Sequence, residues 1–168
     1  MNAASRQLVL LRHAKAADPS SATDHERPLT ERGRADARTM GHWLKRQGVR
    51  VDLVLCSTAV RTRETWAELV ESSGLGALVD HDPRIYNASV ERLLGVVAQD
   101  GHSARSIALV GHAPGVPGLA ATLTGGDAAL DDGFPTCTAA IIEVDVPWKD
   151  LAPGTGRLVA THTARSSD

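Results

Sequence analysis

The sequence predicts an α/β domain: a three-layer sandwich with a mainly parallel central sheet flanked by helices. Three observations predict it. Apolar strand-like runs and helix-periodic stretches alternate along the 168 residues, as they do where a sheet is covered on both faces. The runs Leu8–Leu11 and Ile107–Val110 are wholly apolar, as doubly buried strands are. Three strands are each followed by a helix, and each junction carries reactive polar side chains.

Taken in order, Leu8-Val9-Leu10-Leu11 reads as a strand that delivers Arg12 and His13 to its carboxyl end. Open α/β sheets bind ligands at that end. Ala16 to Arg27, with Asp18, Pro19, Ser20, Ser21 and Asp24, is too polar for core and reads as a loop. Thr30 is placed to cap a helix, and Glu31 complements its positive end. Ala37, Met40 and Leu44 recur at i, i+3 and i+7, one packed face, and Gly48 stops the helix. Val51–Cys56 is the second strand. Ser57 reads as the N-cap of a helix from Thr58 to Ser72, with Ala59, Trp66 and Val70 on one side and Gly74 and Gly76 ending it.

Leu78-Val79 suits a short strand. Ser89 caps a helix whose Val90, Leu93, Leu94 and Val97 share a face. Ser106–Val110 is a buried strand running into Gly111-His112-Ala113-Pro114-Gly115. Pro114 fits a first helical turn, and Val116, Leu119, Ala120 and Leu123 then form an apolar face closed by Gly125-Gly126. Residues 138–146 and 157–161 return to strand periodicity. Ala164 to Asp168 reads as a loose end.

The length fits one domain, residues 1–168, and no linker or repeat divides it. With 18 basic and 20 acidic side chains the formal charge is -2. That gives no reason to expect nucleic acid or an anionic membrane as partner. No apolar run approaches the roughly 20 residues of a membrane span. Met1–Arg6 lacks a signal peptide's apolar stretch, so a cytoplasmic location is expected. Cys56 and Cys137 form no C-x-x-C pair and read as small buried hydrophobes.

The three junctions supply Arg12 and His13, then Ser57 and Arg61, then His112. Parallel neighbouring strands would gather them on one edge of the sheet. Two guanidinium groups and two imidazoles there suit a dianionic phosphoryl group. Two arginines also repel a cation, so no metal or cofactor is expected.

Arg12-His13-Ala14 resembles the Arg-His-Gly/Ala signature of the histidine phosphatase superfamily, the phosphoglycerate mutase-like family. Ser57-Thr58-Ala59-Val60-Arg61-Thr62-Arg63-Glu64-Thr65 resembles its Ser-x-x-x-Arg-x-x-x-Thr motif, and Gly111-His112 its late Gly-His motif. Order and spacing match over residues 7 to about 125. The short chain, with Arg12–Ala16 and Arg27-Pro28-Leu29-Thr30, looks most like the small SixA-type phosphohistidine phosphatases. The resemblance implies that His13 is the nucleophile, that Arg12 and Arg61 bind phosphoryl oxygens, and that His112 donates a hydrogen bond to the same group. A structural histidine after a glycine turn is the alternative for His112. Ser57 either reaches phosphate or caps its helix. Arg63 reads as a solvated charge and Lys15 as a charge on the rim of the site.

Cys56 and Arg61 also resemble the cysteine phosphatase loop, but four residues separate them instead of five, and the glycines are missing. The remaining histidines, His25, His42, His81, His102 and His162, lack ligand spacing and read as surface residues. Larger family members carry a glutamate acid after the second motif. Gly74–Ala88 holds Asp80 and Asp82 but no glutamate. Asp18 and Asp24 are other candidates, with Asp18 preferred as possible general acid because it follows His13 closely. An alcohol leaving group needs protonation more than an imidazole does. The expected function is therefore a metal-independent phosphatase acting on phosphohistidine in a partner protein. The alternatives are a phosphatase of small phosphate esters and a catalytically silent phosphate-binding module.

Overall fold

Strict alternation along β1 (Arg6–Arg12) explains the layering. Val9 and Leu11 point into one apolar cluster, Leu8 and Leu10 into a second on the opposite face, and all four are at most 1% exposed. Burying a side chain of this kind contributes about 1.5–3 kcal/mol, so the strand must lie at the sheet's centre. The structure, a computed structural model describing residues 5–19 and 23–166, has it there.

The sheet contains β1, β2 (Leu53–Ser57), β3 (Leu78–Asp82), β4 (Ser106–Gly111), β5 (Thr138–Val144) and β6 (Gly156–Thr163) in the order β3-β2-β4-β1-β5-β6. The first four in that order run parallel; β5 lies antiparallel to β1, and β6 antiparallel to β5. On one face α1 (Glu31–Arg46) and α2 (Val60–Ser73) pack together, burying Met40, Leu44, Trp66 and Leu69. On the other, α3 (Val90–Asp100) and α4 (Gly115–Thr124) bury Leu93, Val97, Val116 and Leu119. This is the expected α/β three-layer architecture with a mainly parallel sheet.

The caps follow the side chains. Thr30 accepts from the Gly33 N–H and Ser89 from the Arg92 N–H, while Gly74 and Gly125 end their helices in the left-handed conformation. Gly41 allows a close helix approach: a Cβ there would lie 2.5 Å from the Leu69 carbonyl oxygen of α2.

Two expectations need correction. Ser57 is not the cap of α2. It is the last residue of β2, opposite Asp82 of β3, and the helix starts at Val60 with Ala59 as its cap. The Ser57 hydroxyl accepts from Ala59 N–H at 3.2 Å, a turn two residues long that tightens the strand-to-helix junction. Nor is the tail loose through residue 166. Ala164 is fully buried and its N–H donates to the Cys137 carbonyl, Arg165 donates to the Thr136 carbonyl, and the Ser166 N–H donates to Asp36 of α1. Residues 1–4, 20–22 and 167–168 lie outside the described residues, and with them most of the N-terminal segment, Ser20 and Ser21 of the expected loop and the last two residues of the expected loose end. Among the described residues no helix is long and apolar enough to cross a membrane.

Candidate active site

Because β2, β4 and β1 are adjacent and parallel, their carboxyl ends meet. Arg12 pairs with Gly111 in register, His13 N–H donates to the Gly111 carbonyl at 3.1 Å, and Ser57 and His112 follow from the next two strand ends. The rings of His13 and His112 lie 5.4 Å apart, tilted by 58°. Both rings are buried, at 7% and 5% exposure.

His13 is fixed through Nδ1, which donates to the Ala14 carbonyl at 2.7 Å. That bond places the proton on Nδ1 and leaves the Nε2 lone pair free. Burial pulls the His13 pKa down to about 4; the bond to Ala14 opposes this, and the charges of Arg61, Arg12 and Arg27 add to it. Burial and Arg61 likewise pull His112 down to about 3. Both rings are therefore neutral near pH 7. Thr65, the last residue of the second motif, ties β1 to α2: its hydroxyl accepts from Ala14 N–H at 3.0 Å and donates to the Arg61 carbonyl at 2.7 Å.

Arg61 is 4% exposed. Its Nη1 donates to the Asp24 carbonyl at 2.8 Å, and its Nη2 lies 3.1 Å from Asp24 Oδ2. Arg27 holds the other oxygen of the same carboxylate at 3.0 Å. Arg12 Nη1 donates to the Phe134 carbonyl at 3.0 Å. The Nε atoms of Arg12 and Arg61 and Nδ1 of His112 are buried without a protein partner. Three buried polar atoms at this edge are thus left unpaired by the protein itself.

Asp24, rather than Asp18, is the carboxylate brought to this edge. A short 3-10 helix, Asp24–Glu26, turns the loop back onto α2, whereas Asp18 is exposed and bonds to no described residue. Tyr86 donates its hydroxyl to Asp24 Oδ2. That bond, reinforced by Arg61 and Arg27, lowers Asp24 to about 2. Tyr86 is the site residue that sequence reasoning missed. It is the chain's one tyrosine and lies in a region without periodicity. Its ring meets His112 edge-on at 5.4 Å and His25 at 5.0 Å.

His25 is accordingly no free surface residue; its Nε2 is also 2.8 Å from the Thr58 hydroxyl. His162 stacks on Trp43 at 5.0 Å. His42, His81 and His102 are exposed, as are Arg63 and Lys15. Cys56 is fully buried and burial pushes its thiol up to about 12, so it offers no thiolate. Among the described residues the one carboxylate trio with ligand spacing is Asp80, Asp82 and Asp100. The Arg84 guanidinium lies between Asp82 and Asp100, bonded to both, and already neutralises them.

The sheet and its edge define an enzyme of the phosphatase class. The model of the histidine phosphatase superfamily (branch 1) matches residues 8–108. An uncharacterized protein of Mycobacterium tuberculosis is 36% identical over 162 residues, covering 92% of this chain and all of that protein. The phosphohistidine phosphatase SixA of Escherichia coli is 29% identical over 141 residues, 83% of this chain and 86% of that one. Among solved structures, a SixA-like chain of Nakamurella multipartitia is 33% identical with a TM-score of 0.83, covering 98% of this chain and 99% of its own. A protein histidine phosphatase SixA complexed with tungstate is 26% identical with a TM-score of 0.78, covering 96% and 97%. The chain belongs to the histidine phosphatase superfamily and resembles its SixA-type members.

Proposed function

We propose that the protein is a metal-independent, cytoplasmic phosphatase that removes phosphoryl groups from phosphohistidine in a partner protein by way of a phosphohistidine on His13. The observation that carries this reading is the locked His13 ring. Its proton is committed to Ala14, burial holds its pKa at about 4, and its Nε2 lone pair is free on a ring beside His112 that feels the charges of Arg61 and Arg12. A neutral imidazole attacks phosphorus without first losing a proton.

The Nε2 lone pair forms the bond to phosphorus as the bond from phosphorus to the substrate's ring nitrogen breaks. The departing imidazole keeps that electron pair and takes its proton from solvent. Arg12 and Arg61 bind the equatorial oxygens and offset their charge, and His112 donates a hydrogen bond to them. Water then attacks the phosphorus as its bond to His13 Nε2 breaks; the electron pair returns to Nε2, and the water's protons stay with the phosphate or pass to solvent. Inorganic phosphate leaves, and the neutral imidazole is restored. Tungstate, bound by the SixA at 26% identity, is a tetrahedral oxyanion of the same shape class, which supports an oxyanion site here.

The experiment is a rapid quench with a phosphorylated histidine domain as substrate. The wild type should yield an acid-labile, base-stable phosphoenzyme. His13→Ala should yield none, with its fold intact, and chelators should leave turnover unchanged. Turnover by His13→Ala, or loss in EDTA restored by a divalent cation, would overturn the reading.

A further inference from the structure

We infer that Ser57 is a positioning residue whose hydroxyl fixes His112 as the Nδ1–H tautomer, so that Nδ1–H is the bond this ring offers to the phosphoryl group. The inference deepens the reading above and rests on it for its catalytic consequence.

Ser57 is fully buried, with Oγ 2.9 Å from His112 Nε2. A hydroxyl has one proton and two lone pairs. One lone pair is taken by the Ala59 N–H. Two arrangements remain. If Nε2 carries the proton and donates to Oγ, the serine hydroxyl is left as a buried donor without an acceptor. The unprotonated Nδ1 is left unpaired as well. If the hydroxyl donates to Nε2, serine is satisfied at both ends and the ring's proton sits on Nδ1. His112 Nδ1 lacks a protein partner in either arrangement, so the buried serine hydroxyl decides: a buried donor without an acceptor is strongly disfavoured, and the second arrangement holds.

His112 Nδ1 has no protein partner, although the residue is only 5% exposed. With its proton in place it is an unused donor, on a ring 5.4 Å from that of the nucleophile. Neutrality makes this choice matter. A doubly protonated ring would donate from Nδ1 whatever Ser57 did, but His112 carries a single proton near pH 7. The wrong tautomer would turn a lone pair toward the phosphoryl oxygens. The two histidines thus carry their protons on the same atom to opposite ends. Ala14 takes the Nδ1–H of His13 and leaves Nε2 free to attack, while Ser57 occupies Nε2 of His112 and leaves Nδ1–H free to donate.

The fold fixes this pair. Ser57 ends β2 and His112 follows β4, and the two strands are in register up to Cys56 and Val110. A direct phosphate contact from Ser57, expected from the sequence, would need the hydroxyl that Nε2 already holds.

The test is nitrogen-15 NMR of the imidazole nitrogens in the ligand-free wild type, with His112 assigned by its absence in His112→Gln. Protonated Nδ1 and bare Nε2 are expected. Ser57→Ala should move the proton toward Nε2 and lower kcat about tenfold to hundredfold with KM little changed. Ser57→Thr, which keeps the hydroxyl, should restore both. A proton on Nε2 in the wild type overturns the inference, and this reading needs no variant to fold. So does a Ser57→Ala protein with the wild-type tautomer whose only defect is a raised KM, the mark of a direct phosphate contact. Absence of phosphatase activity would instead defeat the functional reading, while the spectrum still decides the tautomer.

Discussion

Arg61 faces Asp24 across 3.1 Å, and the Tyr86 hydroxyl donates to the same carboxylate. A guanidinium that the proposed mechanism assigns to the phosphoryl oxygens therefore already faces an anion. Tyr86, Arg61 and Arg27 hold Asp24 ionised down to about pH 2. An arriving phosphoryl group must share Arg61 with Asp24 or displace it.

Removing that charge should tighten anion binding. Two unit charges 4 Å apart in water interact by about 1 kcal/mol, and Asp24 is about half exposed. Asp24→Asn should therefore lower the inhibition constant of inorganic phosphate by about threefold to tenfold. Weaker inhibition would mean that Asp24 serves mainly to orient Arg61.

The neutral histidines set a pH profile. His13 loses its lone pair only as pH falls through about 4. The rate of phosphoenzyme formation, corrected for substrate ionisation, should hold from pH 7 to 5 and then fall. A midpoint near 6.5 would contradict the buried, neutral ring. Stability behaves differently. Between about pH 6.5 and 4 for His13, and down to about 3 for His112, the unfolded chain binds more protons than the folded one. Acid therefore destabilises the fold across this window, with a slope approaching about 1.4 kcal/mol per pH unit per histidine. Urea unfolding at pH 7 and pH 5 measures it, and His112→Gln should flatten the slope.

The elements were legible wherever one physical signal acted alone. Continuous apolar runs marked β1 and β4, and Thr30 and Ser89 marked helix starts, because burial and capping leave local traces. Arg12, His13, Arg61 and His112 were legible as motifs, and strand adjacency brings them together. Tyr86 and Asp24 meet across 62 residues of chain, and nothing local encodes that contact. His25 read as surface for the same reason: its partners Tyr86 and Thr58 are distant in sequence. Ser57 looked like a cap because serine before a helix usually is one. The ladder to Asp82 keeps it in the strand instead.

Thr65 should matter to stability and activity together. Its hydroxyl is the acceptor for the Ala14 N–H, one residue past the nucleophile. Thr65→Val keeps the shape and leaves that N–H buried and unpaired, a loss of about 1–3 kcal/mol. Chemical unfolding should register this, and turnover should fall because Ala14 also holds the His13 ring. Wild-type stability in Thr65→Val would show that the N–H finds another partner.

The tail should be a structural strap. Asp36 is 1% exposed, accepts from Ser166 N–H at 2.8 Å, and lies 3.7 Å from Arg165 Nη1. Asp36→Ala removes both ties and should lower stability by about 1–3 kcal/mol. Proteolysis should then clip the chain after Ala164 sooner than in the wild type, with catalytic constants unchanged. Equal protease resistance would show that Ala164 burial and the bonds to the Cys137 and Thr136 carbonyls hold the tail without Asp36.

The leaving group should govern the rate. A general acid contributes about 100- to 10,000-fold where a poor leaving group needs its proton. The carboxylate at this site is poorly suited to the task, because Tyr86, Arg61 and Arg27 hold Asp24 well below the usual carboxylate range in the ligand-free enzyme. Tyr86 is no substitute, since donating to Asp24 raises its pKa above the ordinary tyrosine value. Asp82 is committed to Arg84, and Asp18 is exposed without a bond to any described residue. Protons for the leaving group must then come from solvent. Imidazole and phenolate leave readily under that condition, and an alkoxide does not. Phosphohistidine and aryl phosphates should therefore react at least about a hundredfold faster than alkyl phosphates by kcat/KM. Asp18→Asn should change neither class. Asp24→Asn should change both in the same proportion, because it acts through Arg61 and the phosphoryl group they share. Comparable rates on alkyl and aryl substrates would reveal a working acid and make a small phosphate ester the better substrate class. A selective loss on alkyl substrates in either variant would identify which carboxyl it is.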